Sequence, residues 1–209
     1  MKIAVVCSNG RTGQLIVKEL LDRNVDVTAI ARGENKSAAT QFVSKDLFDL
    51  TREDVAGFDV VIDAFGAWAE EDLPKHVTSS QHLCDLLSGT DTRLLIVGGA
   101  GSLYTNPEHT AVVMDGPDFP DAFKPLAGAQ GQELAKLRER DDVKWTFVSP
   151  AADFQADGPR TGAYELHGEE FAPNSKGESV IGYADYAIGM VDEALSGNHI
   201  QQRISLVRA

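Results

Sequence analysis

The chain has 209 residues, of which 43% are hydrophobic and 24% charged, with a formal net charge of −13. That is enough chain to bury a core without staples, in a composition ordinary for soluble globular proteins. Its acidity argues against nucleic acid or an anionic membrane as partner, because either needs a basic face to release counterions. No apolar run approaches the roughly 18 residues of a membrane span. The two cysteines, Cys7 and Cys84, give neither a disulfide framework nor a metal-ligand spacing, so no metal is expected. No apolar segment precedes the first strand, and a cytoplasmic location is expected.

The stretch Lys2 to Gly13 reads KIAVVCSNGRTG: an apolar β-run, a short turn with Gly10 and Gly13, then a helical pattern through Leu15, Ile16, Leu20 and Leu21. A strand, glycine turn and helix in this order present unpaired N–H groups and the positive end of a macrodipole to an anion. The helix is expected to end near Arg23 and Asn24, with a second strand over Val25 to Ala31 closing on Arg32 and Gly33. A short third strand is read at Gln41 to Ser44, a short helix at Thr51 to Ala56, and a fourth strand within Asp59 to Gly66. Next come a long helix from Glu71 to Leu87 with Pro74 in its first turn, and a fifth strand at Arg93 to Gly99. A helix inside Asp121 to Arg140, a sixth strand at Val143 to Ser149, a helix at about Ala184 to Leu195 and a final strand near Arg203 to Val207 complete the reading.

Strands alternating with helices over short connections predict an α/β fold, a doubly wound and mostly parallel sheet with helices on both faces. The whole of 1–209 reads as one nucleotide-binding domain with a small C-terminal substrate lobe. Two irregular stretches, 104–120 and 150–182, leave from the carboxyl ends of strands, where open α/β sheets bind ligands, and loops this long are usually functional.

Ser8, Asn9, Gly10, Arg11, Thr12 and Gly13 are therefore the candidate pyrophosphate turn. Arg32 stands at the end of the second strand, where an acidic residue would take the ribose 2′-hydroxyl of NAD. A guanidinium there suits a 2′-phosphate, which favours NADP(H), with NAD(H) as the alternative. Asp46 and Leu47 fall where the adenine would lie, and Ala64, Phe65 and Gly66 form a small-residue turn beside the middle of the cofactor. Gly98 and the turn to Ser102 fall near the nicotinamide, as do Ser149, Pro150 and Ala151. Ser102 is a candidate donor to a substrate oxygen, and Lys124 a candidate contact to the nicotinamide ribose or a substrate carbonyl. Tyr104, Phe154, Tyr164 and His167 are candidate walls for an aromatic acceptor.

The segments KIAVVCSNGRTGQLIVKEL, DVVIDAFG, RLLIVGGAGSLY, WTFVSPAADF, RTGAYELHG and GYADYAIGMVDEAL span nearly the whole chain. Together they resemble the atypical short-chain dehydrogenase/reductase group that includes NADH-flavin reductases, biliverdin reductase B-like enzymes and NmrA-type NAD(P)-binding proteins. The resemblance implies a Rossmann fold, a nicotinamide cofactor and hydride transfer to a flavin, quinone or similar conjugated acceptor, with flavin as substrate and not resident cofactor. Two departures stand out. Cys7 replaces the first glycine of the G-x-x-G-x-x-G turn, and no tyrosine has lysine four residues on: Glu108, Gly168, Ala187 and Met190 follow Tyr104, Tyr164, Tyr183 and Tyr186. The alternatives to an NADPH-dependent reductase are a non-catalytic redox sensor acting through a protein partner and a sugar-nucleotide epimerase or dehydratase. Oligomeric state stays open between monomer and homodimer.

Overall fold

The computed structural model describes residues 1–209. In chain order the elements are β1 (Lys2–Val6), α1 (Arg11–Asp22), β2 (Asp26–Ala31), β3 (Gln41–Ser44), α2 (Arg52–Val55), β4 (Val60–Asp63), α3 (Lys75–Leu87) and β5 (Arg93–Val97). They continue with α4 (Lys124–Leu137), β6 (Lys144–Ser149), β7 (Asp153–Gln155), β8 (Tyr164–His167), β9 (Val180–Gly182), α5 (Tyr183–Ser196) and β10 (Gln202–Arg208). Eight strands make one sheet in the order β3-β2-β1-β4-β5-β6-β10-β8. Every pairing in it is parallel except β10 with β8. This is a Rossmann-like α/β fold, and the chain reverses its winding between β1 and β4, which opens a crevice at their carboxyl ends.

The alternation of side chains along each strand divides the core into two layers. Ile3 and Val5 of β1 face a layer with Ile16, Val17 and Leu20 of α1 and Tyr186, Met190 and Val191 of α5. Ala4 and Val6 face the other, with Leu83, Cys84 and Leu87 of α3, Leu134 and Leu137 of α4, and Trp145 and Phe147 of β6. Both faces are covered, so the central strands are predominantly apolar, as parallel strands buried on both sides require, with Asp63, Arg93 and Ser149 as buried polar residues at strand ends. α5 ends on Gly197 in the left-handed conformation at φ 69°, the usual helix stop.

Three strands lie inside the stretch read from sequence as irregular. β7 and β9 form a separate parallel pair, and β8 adds an antiparallel edge beyond β10. They are short, and their partners are distant in sequence, so no local periodicity marks them. The expected helix from Glu71 begins only at Lys75, after a 3-10 turn at Glu70–Asp72, because Pro74 occupies its N-cap. No helix is long and apolar enough to cross a membrane.

Candidate functional site

One cleft of about 1380 Å³ runs across the carboxyl ends of the central strands. Its middle is the turn between β1 and α1. Gly10 is the N-cap of α1, no side chain caps the helix, and no acidic residue sits in its first turn, so the positive end of the helix faces the cleft uncompensated. Gly13 lies where α1 touches the turn: a Cβ there would come within 2.8 Å of the Cys7 carbonyl oxygen and 2.9 Å of the Ser8 Cα. Only glycine lets the helix start this close. Cys7, in the place of the expected first glycine, adopts φ 58°, a left-handed backbone that costs an L-residue about 1 kcal/mol or more. Burial pushes its thiol well above the usual range, so it stays protonated and inert.

Asn9, Gly10, Arg11, Thr12, Arg32, Asp46, Leu47, Ala64, Phe65, Gly66, Gly98, Pro150, Ala151 and Phe154 all line this cleft. Several do so with their polar atoms already engaged. The Asn9 amide donates to the Arg32 and Glu34 carbonyl oxygens (3.1 and 2.8 Å), and its own oxygen accepts from Lys36 N–H (2.8 Å). Asn9 therefore ties the loop after β2 to the glycine turn. Asp46 accepts from Phe48 N–H at 2.9 Å and faces the Arg32 guanidinium at 3.6 Å. Arg32 is 84% exposed in its side chain, a cation held at the rim with its charge largely free.

Other expectations are corrected. Ser8 is buried and turned into the sheet, with its hydroxyl on the Ile30 carbonyl. The Ser149 hydroxyl donates to the Gly99 carbonyl at 2.8 Å, tying together the exits of β5 and β6 from below. Ser102 accepts from Arg203 at 3.0 Å on the side away from the cleft. Tyr104 stacks on His109 with ring centroids 4.1 Å apart and lies under Arg203. Lys124 is exposed and pairs with Asp121 at 2.7 Å. Tyr164, on the edge strand β8, donates to Asp192 at 2.7 Å, and His167 on the same strand faces Glu165. None of these eight-stranded-sheet or loop positions lines the cleft. The reason is positional: the lining contributed by the β5 exit ends at Gly101, and β8 lies at the sheet edge, four strands past β4.

The cleft instead gains residues that sequence reasoning passed over: Lys36 and Lys45 at the β2–β3 end, and Trp68, His76, Phe119, Phe123, Gln130, Phe171 and Tyr183 at the other. Phe119 belongs to an irregular stretch already marked as substrate-side, and Trp68 follows a strand exit, so position alone was the available signal. Gly98 and Gly99 have no room for side chains because the turn rests on the Phe147 ring and the Gln130 amide, 2.2 and 2.0 Å from where their Cβ atoms would be.

Beneath the Ala64–Trp68 turn lies a buried polar group. One Asp63 oxygen accepts from Phe65 N–H at 2.9 Å, while the other has no partner. Burial raises its pKa to about 7. Burial also raises Glu133 well above the carboxylate range, with the Asp63 charge adding to it, and lowers His76. The His76 Nδ1 and Glu133 Oε2 are 3.8 Å apart. With both groups driven to their neutral forms, this contact is not an ion pair. His76 also holds the turn, with Nε2 3.2 Å from the Ala67 carbonyl and its ring edge-on to Phe65.

A family model described as NAD(P)H-binding matches residues 8–193, most of the elements that build this cleft. The chain belongs to this NAD(P)H-binding family. Among solved structures it is similar to a Streptococcus pneumoniae TIGR4 protein described as a "putative NADH-flavin reductase", at 54% identity and TM-score 0.98 with all of both chains covered. It is also similar to a Bacteroides thetaiotaomicron protein described as a "putative epimerase", at 30% identity and TM-score 0.86 over 99% of this chain and 96% of that one. A Bacillus subtilis (strain 168) relative, "Uncharacterized protein YwnB", is 42% identical over 99% of this chain and 98% of its own. The NAD(P)H-binding family and the Rossmann-like fold are thereby fixed. The cradle fits the cofactor: α1 starts at an uncapped glycine with Gly13 admitting the close approach, as a pyrophosphate site requires.

Proposed function

We propose that the protein is an NADPH-dependent reductase acting on a flavin, quinone or similar planar conjugated acceptor. The observation that carries this is the size and lining of the cleft. At about 1380 Å³ the cleft extends past the phosphate-binding turn, and its far end is open and aromatic, with Trp68 71% and Phe123 50% exposed. A cleft with room for a second ring favours a reductase over a sensor closed around its nucleotide. Bound NADPH supplies the hydride.

The residues of the chain orient and shelter that transfer. The α1 N-terminus with Gly10, Arg11 and Thr12 holds the pyrophosphate, and Arg32 with the nearby Lys36 holds the 2′-phosphate. Gly98, Pro150 and Ala151 present backbone to the nicotinamide end, and Trp68, Phe123 and Phe154 flank the acceptor. A conjugated ring accepts the electrons itself, so stacking the two rings suffices without a tyrosine–lysine pair. The test is aerobic NADPH consumption with flavins and quinones, alongside NADPH and NADH binding. Turnover with at least one acceptor is expected, and Arg32→Ala should weaken NADPH about 10- to 100-fold while changing NADH less than about twofold. Tight NADPH binding without turnover would leave the sensor reading in its place.

A further inference from the structure

The charges that line the cleft are sorted along its length. Around the phosphate end stand Arg11, Arg32, Lys36 and Lys45 against Glu34 and Asp46, with Lys45 itself paired to Asp54 at 2.5 Å and Arg11 3.6 Å from Asp157. Beyond β4, β5 and β6 the order is reversed, with Asp72, Asp118 and Asp153 against Lys75. Lys75 is spent on Asp72, with Nζ 2.6 Å from the carboxylate. Asp118 and Asp153 are both exposed, and neither has a cationic partner; Asp153 accepts only from the neutral Gln155 amide at 2.7 Å. A second feature marks the same end. The exposed Phe and Trp side chains of the whole molecule are Phe48, Trp68 and Phe123, and all three line this cleft. Phe48 follows β3 at the phosphate end, whereas Trp68, 71% exposed, and Phe123, 50% exposed, stand at the acceptor end. An open aromatic pair costs solubility and is retained where a flat ligand covers it.

We propose that the acceptor end selects an uncharged planar ring, riboflavin or a neutral quinone in class, over an anionic one such as FMN, with Trp68 and Phe123 as the stacking walls and Asp118 and Asp153 as the residues that exclude negative charge. This rests on the reductase reading above. Stacking attracts every flavin alike, because each presents the same ring. The phosphate of FMN carries about −1.5 to −2 charges at neutral pH and must enter beside two unpaired carboxylates. Over about 10 Å in water this repulsion amounts to about a tenfold loss of affinity at low salt, and it is screened as the Debye length shrinks.

The experiment compares binding of oxidised riboflavin and FMN, read by quenching of flavin fluorescence with NADP⁺ present, and NADPH consumption with each. The expected Kd ratio of FMN to riboflavin is about 10 near 20 mM ionic strength and about 2 near 0.5 M. Asp118→Asn alone should reduce the low-salt ratio, and Asp118→Asn with Asp153→Asn should bring it within about twofold, chiefly by tightening FMN. Trp68→Ala should weaken both flavins about 5- to 20-fold and preserve the ratio. FMN binding as tightly as riboflavin at low salt, or a ratio that neither salt nor the Asn variants move, overturns this inference and leaves the reductase reading standing. Failure of every flavin and quinone to bind or to consume NADPH overturns both.

Discussion

The two ends of the cleft are built in different ways. The phosphate end is largely one continuous piece, Cys7 to Gly13, joined to the loop after β2 by the three hydrogen bonds of Asn9. It presents backbone and a helix terminus, and its geometry follows from glycines at fixed offsets. The acceptor end is assembled from Trp68, the 117–130 region, Phe154, Phe171 and Tyr183, which meet only because β4, β5 and β6 stand side by side. It presents side chains from loops. A family can therefore keep the first end and change the second, in keeping with relatives of one fold described as a "putative NADH-flavin reductase" and a "putative epimerase".

The sharpest way to break the phosphate end is Gly13→Ala. The added Cβ meets backbone atoms at 2.8 and 2.9 Å, which cannot swing aside, so α1 must move outward. A stability loss of about 2–3 kcal/mol and at least about a tenfold rise in the NADPH Kd are expected, by thermal melting and titration. An unchanged melting point and Kd would show that the turn is not the rigid part.

Asp63 tests how the acceptor-side turn is supported. Its carboxyl titrates at about 7 in the fold against about 3.9 in an unfolded chain, so between these values the native state holds the extra proton. Its contribution is present in full below about pH 4, is lost as pH rises through about 7, and then levels off, a span of up to about 4 kcal/mol. Glu133 acts in the same sense, and His76, lowered, in the opposite one. Asp63→Asn keeps an oxygen for Phe65 N–H and removes the titration, so denaturant melts across pH 4–8 should show a flatter profile than the parent. An identical slope would remove Asp63 from the pH dependence and leave it to Glu133 and His76.

The smallest effects are expected at residues that the structure moves out of the cleft. Tyr164→Phe loses one hydrogen bond to Asp192 and should cost about 1 kcal/mol in urea unfolding with acceptor KM unchanged. Lys124→Ala breaks an exposed pair and should change neither stability nor kcat/KM beyond about 0.5 kcal/mol. A tenfold loss of kcat/KM in either would return that residue to the acceptor site.

The comparison also shows what kind of residue could be read in advance. Gly10, Arg32 and the Ala64–Gly66 turn were visible because each sits at a strand exit whose direction the Rossmann topology dictates. Ser102, Tyr104, Tyr164 and His167 lie in stretches whose path is set by partners far away: Arg203 reaches Ser102 from β10, β8 pairs with β10 with His167 opposite Ser205, and the Ser205 hydroxyl donates to the Gly168 carbonyl. Residue type suggested chemistry for these side chains, while tertiary pairing spent them on structure. Trp68 and Phe123 show the converse, aromatics of ordinary sequence context left open at a cleft.

The sequence by itself determined the alternation of strands and helices, the two-sided burial of the sheet and the anion-binding turn at α1, because these follow from short-range periodicity and from glycine at local offsets. Only the tertiary structure decided that Cys7 takes the left-handed conformation of the missing glycine, that Asp63, His76 and Glu133 share one buried site, and that unpaired carboxylates and open aromatics meet at the acceptor end. Those outcomes depend on which strand lies beside which, and on what each neighbour displaces from water, information that no single stretch of chain carries.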